Sequence, residues 1–117
     1  MDEKKNEIIL FENQGVKLEV NLKDETVWLI QAQMEELFGV KHATISEHIN
    51  NIFKEGELDE KTSVGISDKS TGGRKSKIYN LDVIISVGYR VKSKNGVIFR
   101  QWANKILKDY MLKGYAI

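Results

Sequence analysis

The sequence predicts an α+β fold of the winged helix-turn-helix class, with a short N-terminal antiparallel sheet and C-terminal helices. Three observations predict it: an alternating apolar–polar segment near the N-terminus, two amphipathic segments separated by a glycine, and a basic, glycine-containing segment between two short apolar runs. With 117 residues, the chain is long enough for one hydrophobic core, so we expect a single domain over residues 1–117.

The N-terminal sheet is predicted from three short segments. Residues 8–11 are an apolar run, and residues 16–22 alternate apolar and polar side chains without interruption, which is the period of a half-buried strand. Residues 13–15 (Asn-Gln-Gly) between them are typical of a hairpin turn. Residues 26–29 (Thr-Val-Trp-Leu) predict a third strand.

The next two segments predict a helix-turn-helix. In residues 31–38 the apolar side chains recur at i, i+3 and i+4, and Gly39 follows them as a helix-ending residue. A second helix is predicted from residue 41 to about residue 54, with Gly56 after it. The turn would let the apolar faces of both helices share one core. Short polar side chains near the start of the second helix would then face outward, as contact with base edges in a major groove requires.

Residues 62–80 predict a β-hairpin with a long basic tip, because two short apolar segments flank a polar loop that contains two glycines. The tip, residues 67–77, carries Lys69, Arg74, Lys75 and Lys77. A basic tip that follows a helix-turn-helix is the layout of a wing. Such a tip can run along phosphates or enter the minor groove, and it releases counterions as it binds.

The C-terminal part predicts two helices. Asn80 is expected to cap the first, which begins at Leu81. The second is predicted over residues 97–113, with Gly114 ending it. Residues 90–96 between them carry three basic side chains and no acidic one. Two interpretations of this segment stay open: a solvated loop, or a second contact with phosphate.

Charge is divided unequally along the chain. Residues 1–60 hold 6 Lys/Arg and 14 Asp/Glu, and residues 61–117 hold 12 and 3, so the net charge of +1 separates into −8 and +9. Either the basic half attracts a polyanion, or the halves neutralise each other when packed. Acidic residues at Glu35, Glu36 and Glu47 oppose DNA binding by the helix pair, so the basic half would have to supply most phosphate contacts.

No enzyme site is predicted. The chain has no cysteine, which excludes disulfides and thiolate metal sites. His42 and His48 are six positions apart, which is about 240° around a helix, so they cannot share a metal ion. Residues 72–76 lack the glycine that precedes the lysine of a phosphate loop. We therefore expect no cofactor. Because no apolar run is long enough for a signal peptide or a membrane span, we expect a cytoplasmic protein.

These observations together predict a regulatory domain that binds duplex DNA, reading it with residues 41–53 and following the backbone with the wing. The predicted DNA contacts are Lys41, His42, Thr44, Ser46, His48, Lys69, Arg74, Lys75 and Lys77. The alternative is a docking or dimerisation domain of the same fold, whose acidic first half engages a basic partner or a second copy. A homodimer would also suit DNA binding, because two half-sites raise affinity.

Four segments of the chain resemble the virulence-protein RhuM family: TVWLIQAQMEELF at 26–38, ISEHINNIFKEGEL at 45–58, YNLDVIISVGYRV at 79–91 and FRQWA at 99–103. The resemblance covers nearly the whole chain. Members of that family are usually longer, which implies that this chain is the N-terminal domain of a larger protein. Its C-terminal end also resembles, more loosely, the N-terminal DNA-binding domains of phage antirepressors, which implies a nucleic-acid partner.

Overall fold

A computed structural model describes residues 7–67 and 75–116, with side chains as far as Tyr110. Within these ranges the chain forms a five-stranded antiparallel sheet and five helices, which confirms the predicted mixture of helices and sheet. The elements in chain order are β1 (Glu7–Asn13), β2 (Val16–Lys23), β3 (Thr26–Leu29), α1 (Gln31–Phe38), α2 (His42–Lys54), α3 (Glu60–Ser63), β4 (Val64–Ile66), β5 (Lys77–Asn80), α4 (Leu81–Arg90) and α5 (Lys94–Ala116).

The sheet has the strand order β1-β2-β3-β5-β4. Its first three strands form a meander with two-residue turns. The predicted hairpin turn is confirmed at Gln14 and Gly15, whose φ angles are 48° and 88°. A type I′ turn requires two successive left-handed residues. It is favoured in hairpins because its twist matches that of the strands it joins. Asp24 and Glu25 form the second turn, with φ angles of 53° and 64°.

One face of the meander builds the core. On β2, Leu18, Val20 and Leu22 are buried and the residues between them are not, so the predicted alternation is confirmed. Phe11 of β1 lies under α5, where its ring centroid is 5.1 Å from that of Phe99. These rings contribute to the core through burial and edge-to-face contact.

The two predicted helices of the helix-turn-helix segment are confirmed. Helix α1 buries Met34, Leu37 and Phe38, and α2 buries Ile45, Ile49 and Ile52. Gly39 ends α1 in the left-handed conformation, with a φ of 68°. At the other end of α1, Gln33 accepts a hydrogen bond from the Ile30 N–H and donates one to the backbone oxygen of Glu19. The start of α1 is thereby attached to β2.

The capping of α4 by Asn80 is confirmed, because its side-chain oxygen accepts a hydrogen bond from the Val83 N–H at 3.2 Å.

Both predicted ends of the last helix are wrong. Helix α5 begins at Lys94, where the Ser93 hydroxyl accepts from the Asn95 N–H. It also continues through Gly114 to Ala116. A glycine inside a helix costs only about 1 kcal/mol, so it ends a helix only where tertiary packing agrees.

Candidate nucleic-acid interface

A polar cluster fixes the start of α2 against α1. The Gln31 side chain donates to the Ser46 hydroxyl at 2.8 Å and to the backbone oxygen of His42 at 3.3 Å. The His42 Nδ1 atom lies 2.7 Å from a Glu35 carboxylate oxygen. The carboxylate of Glu35, which sequence reasoning counted against DNA binding, is therefore engaged within the helix pair.

Sequence reasoning missed Gln31 as part of this site. The signal was a matched spacing, because Gln31 and Glu35 are four residues apart on α1, and His42 and Ser46 are four apart on α2. Residues with that spacing lie on the same face of a helix. Two such polar pairs on facing helices could have been recognised as an interhelical cluster.

The predicted contacts on α2 differ in exposure. Lys41, which precedes the helix, and His42 are exposed, whereas Thr44, Ser46 and His48 are half-buried. The Nδ1 atom of His48 is enclosed and has no hydrogen-bond partner among the residues that the structure describes. Of these predicted contacts, the structure brings His42 and Ser46 together, because Gln31 bonds both. The most accessible predicted contacts on α2 lie at the start of the helix.

The predicted hairpin after the helix pair is present as strands β4 and β5. Val64 pairs with Tyr79 and Ile66 with Lys77, and the Ser67 N–H bonds the Ser76 oxygen at 2.8 Å. Lys75 and Lys77 are exposed. The other two predicted contacts of the tip, Lys69 and Arg74, lie outside the described residues.

Strand β5 also pairs with β3, through Trp28↔Asn80 and Leu29↔Tyr79. The hairpin is thus joined to the strand that precedes α1. The one-turn helix α3, which the sequence did not predict, lies between α2 and β4, and Asp59 caps it by accepting from the Lys61 N–H.

A second polar cluster joins the end of α2 to α4. Arg90 donates to a Glu55 oxygen at 2.9 Å and to a Glu57 oxygen at 2.7 Å. The Ser86 hydroxyl donates to the other oxygen of Glu57 at 2.6 Å. Hydrogen bonds from Arg90 and Ser86 lower the pKa of Glu57, and those that Arg90 makes to Glu57 and Glu55 raise the pKa of Arg90. Arg90 therefore has carboxylate partners within the chain. The other two basic residues of the 90–96 segment, Lys92 and Lys94, form no ion pair with a residue that the structure describes.

Replacing Glu57 with glutamine is expected to lower the free energy of unfolding by about 1 kcal/mol at neutral pH, since a charge-assisted hydrogen bond on a partly exposed group is lost. Folding lowers the pKa of Glu57 below its ordinary value of 4.5. The stabilisation is therefore complete above that pH and disappears as the pH falls through the folded-state pKa. Urea titrations at neutral pH and at about pH 3 measure the difference.

The control for this prediction is Glu36→Gln, which changes an exposed carboxylate on α1 and should shift stability by less than about 0.5 kcal/mol. A Glu57→Gln difference that stays constant between the two pH values would contradict the assignment of the effect to the charged form.

Neither a metal cluster nor a membrane-spanning helix is found among the residues that the structure describes. No group of three or more His, Asp or Glu side chains gathers there as a metal ion would require. Among the same residues, no helix has both the length and the apolar character needed to cross a membrane.

Comparison with known proteins places the C-terminal half of the chain in a family. A sequence model of the virulence protein RhuM family matches residues 58–117. The matched part holds α3, the β4–β5 hairpin, α4 and α5, and the helix pair α1–α2 precedes it. No curated protein and no solved structure matches the chain significantly. Since the match covers just over half of the residues and includes two of the four segments that resemble the family, 79–91 and 99–103, the chain belongs to the virulence protein RhuM family.

Proposed function

We propose that this chain is a winged helix-turn-helix domain that binds duplex DNA in the cytoplasm and serves transcription regulation. The observation that carries the proposal is the order and pairing of its parts. A glycine-hinged helix pair is followed by a hairpin with exposed lysines, and strand β5 of that hairpin pairs with β3, the strand before the helices. In a winged helix the wing strands form a small sheet with the strand that precedes the helix pair, so β3-β5-β4 is the order expected.

In this proposal α2 enters the major groove, which is about 12 Å wide and admits an α-helix. The start of α2 exposes Lys41 and His42. None of the described side chains caps this end of the helix, so the first N–H groups and the Lys41 ammonium group can both be directed to one phosphate. Thr44, half-exposed one turn further on, is the side chain we assign to base-edge contact.

The acidic residues of the helix pair limit how α2 can approach DNA. Glu35 is engaged with His42, but Glu36 and Glu47 remain exposed. Since phosphate repels both, most of the binding free energy would come from Lys75, Lys77 and the remaining basic residues of the hairpin. Binding of that kind weakens steeply as salt concentration rises.

Fluorescence anisotropy with a labelled random duplex at low salt tests the proposal. The double variant Lys75→Ala/Lys77→Ala should bind all sequences more weakly. Its plot of log affinity against log salt should be flatter by about 2, since each lost phosphate contact removes about 0.9 from the slope. Lys105→Ala/Lys108→Ala removes two exposed lysines from α5 and is the matched control, which should keep the wild-type slope.

A second arm of the experiment separates base contact from phosphate contact. Thr44→Ala should leave the salt slope unchanged and alter the ranking of affinities among different duplexes. Absence of binding by folded wild-type protein at micromolar concentration and low salt would overturn the proposal. An unchanged salt slope in the Lys75→Ala/Lys77→Ala variant would show that these lysines of the hairpin do not contact phosphate.

A further inference from the structure

Helices α4 and α5 leave an open groove of about 360 Å³ between them, beside their close approach at Gly88 and Gly96. Its apolar lining includes Tyr89 and Val97, whose exposed fractions are 85% and 47%. Tyrosine and arginine beside an apolar groove are typical of protein–protein interfaces.

The same groove is basic at its edge. Lys92 and Arg100 line it, and neither forms an ion pair with another residue that the structure describes. Two copies of this surface facing each other would bring four positive charges together, which is unfavourable. The expected partner surface is therefore apolar at its centre and acidic around it. We call Tyr89, Val97, Lys92 and Arg100 the groove patch.

A surface of that description lies at the other end of the chain. On β1, Ile8 and Leu10 are exposed by 43% and 54%, and both lie on the side of the strand opposite to the buried Phe11. Glu19 is directly across the ladder from Leu10 and forms no ion pair with a described residue. Glu12 follows on the same face, 3.8 Å from the ammonium group of its cross-strand partner Lys17. We call Ile8, Leu10, Glu12 and Glu19 the hairpin patch.

We propose that these two patches bind each other in different copies of the chain. Ile8 and Leu10 of one copy enter the groove of the next, and Glu19 approaches Lys92 or Arg100. The division of charge along the sequence, −8 over residues 1–60 and +9 over residues 61–117, then becomes complementary between copies. Both patches are separate from α2 and from the β4–β5 hairpin, so the association does not depend on DNA binding.

Because each copy contributes two different patches, the contact is heterologous. Copies joined in this way form an open chain or close into a ring, the smallest of which is a two-fold dimer with two reciprocal contacts. An interface built on one self-complementary patch has one surface to disrupt, whereas this contact has two surfaces that can be disrupted separately and then combined, which provides the test.

Sedimentation equilibrium of the 117-residue chain without DNA, from micromolar to millimolar concentration, measures the association. The average mass of the wild type should rise with concentration and fall with added salt. Leu10→Lys disrupts the hairpin patch and Tyr89→Ala/Arg100→Ala disrupts the groove patch. Each should weaken self-association by roughly 30-fold or more, because truncation of interface anchors has effects of that size.

Matched controls change similar side chains elsewhere. Ile66→Lys alters an exposed apolar residue on the opposite edge strand, and Lys105→Ala/Lys108→Ala removes two charges from α5 outside the groove. Both controls should associate as the wild type does. Circular dichroism and thermal unfolding verify that each variant is folded. If Leu10→Lys is destabilised, Ile8→Lys is used in its place to disrupt the hairpin patch.

Mixing the two disrupted proteins is the decisive measurement. Leu10→Lys retains an intact groove patch and Tyr89→Ala/Arg100→Ala retains an intact hairpin patch, so the mixture should form a 1:1 dimer and nothing larger. A mixture that stays monomeric overturns the proposal. So does a wild type that is monomeric throughout the concentration range, or a Leu10→Lys variant that associates like the wild type.

Discussion

Replacing Phe99 with alanine is expected to lower the free energy of unfolding by about 3–5 kcal/mol. The Phe99 side chain is fully buried, and its ring contacts those of Phe11 and Trp102 at centroid distances of 5.1 and 5.5 Å. The substitution would leave a cavity where α5 crosses β1. Since a domain of this size is stable by only about 5–15 kcal/mol, a urea titration should show a large decrease in the unfolding midpoint.

The control for Phe99→Ala is Val97→Ala on the same helix, measured at dilute protein concentration. Val97 is 47% exposed, so its truncation should change stability by less than about 0.5 kcal/mol. A loss below about 1 kcal/mol for Phe99→Ala would show that the contact between α5 and the N-terminal hairpin is not part of the cooperative core.

The substitution Gly88→Ala is expected to destabilise the protein by about 1–3 kcal/mol. In an unhindered helix the same change would stabilise by about 1 kcal/mol, because alanine has the higher helix propensity. Here the added Cβ would lie 3.1 Å from two ring carbons of Phe38 and 3.2 Å from the Cα atom of Gly96. The backbone at Gly96 cannot move away as a flexible side chain can. The steric clash of the added Cβ should therefore outweigh the gain in helix propensity.

A double-mutant cycle with Phe38→Leu verifies the cause. The smaller side chain relieves the part of the clash that comes from the Phe38 ring, so Gly88→Ala should be less destabilising in the Phe38→Leu background than in the wild type. Stabilisation of the wild type by Gly88→Ala would mean that α4 and α5 are not held as closely as Gly88 and Gly96 indicate.

The parts of the fold that the sequence predicts correctly are those with local causes. The meander follows from the alternation on β2 and from Gln14-Gly15, and the helix pair follows from two apolar stripes around Gly39. Asn80 caps α4 through a hydrogen bond to a residue three positions on. In each case the interaction that determines the structure joins residues close in sequence.

The features that sequence reasoning missed depend on contacts between distant residues. Glu57 meets Ser86 and Arg90 across 29 and 33 positions. The first turn of α5 is held in part by Asn95, whose side chain donates to the backbone oxygen of Leu37 at 2.8 Å. No local sequence pattern indicates partners that are so far apart along the chain. The DNA contacts assigned to α2 and to the hairpin, including Lys69 and Arg74, remain predictions.

Strand β3 fixes how the helix pair and the hairpin are presented to a binding partner. It is four residues long, yet it bonds β5 along one edge and leads into α1 after Ile30 alone. The angle between the strands of the hairpin and the two helices is therefore set during folding, before any partner arrives. Such preorganisation reduces the entropy lost on association. A substitution in β3 that tilts its backbone would change the distance between the two surfaces while leaving every residue of both surfaces intact.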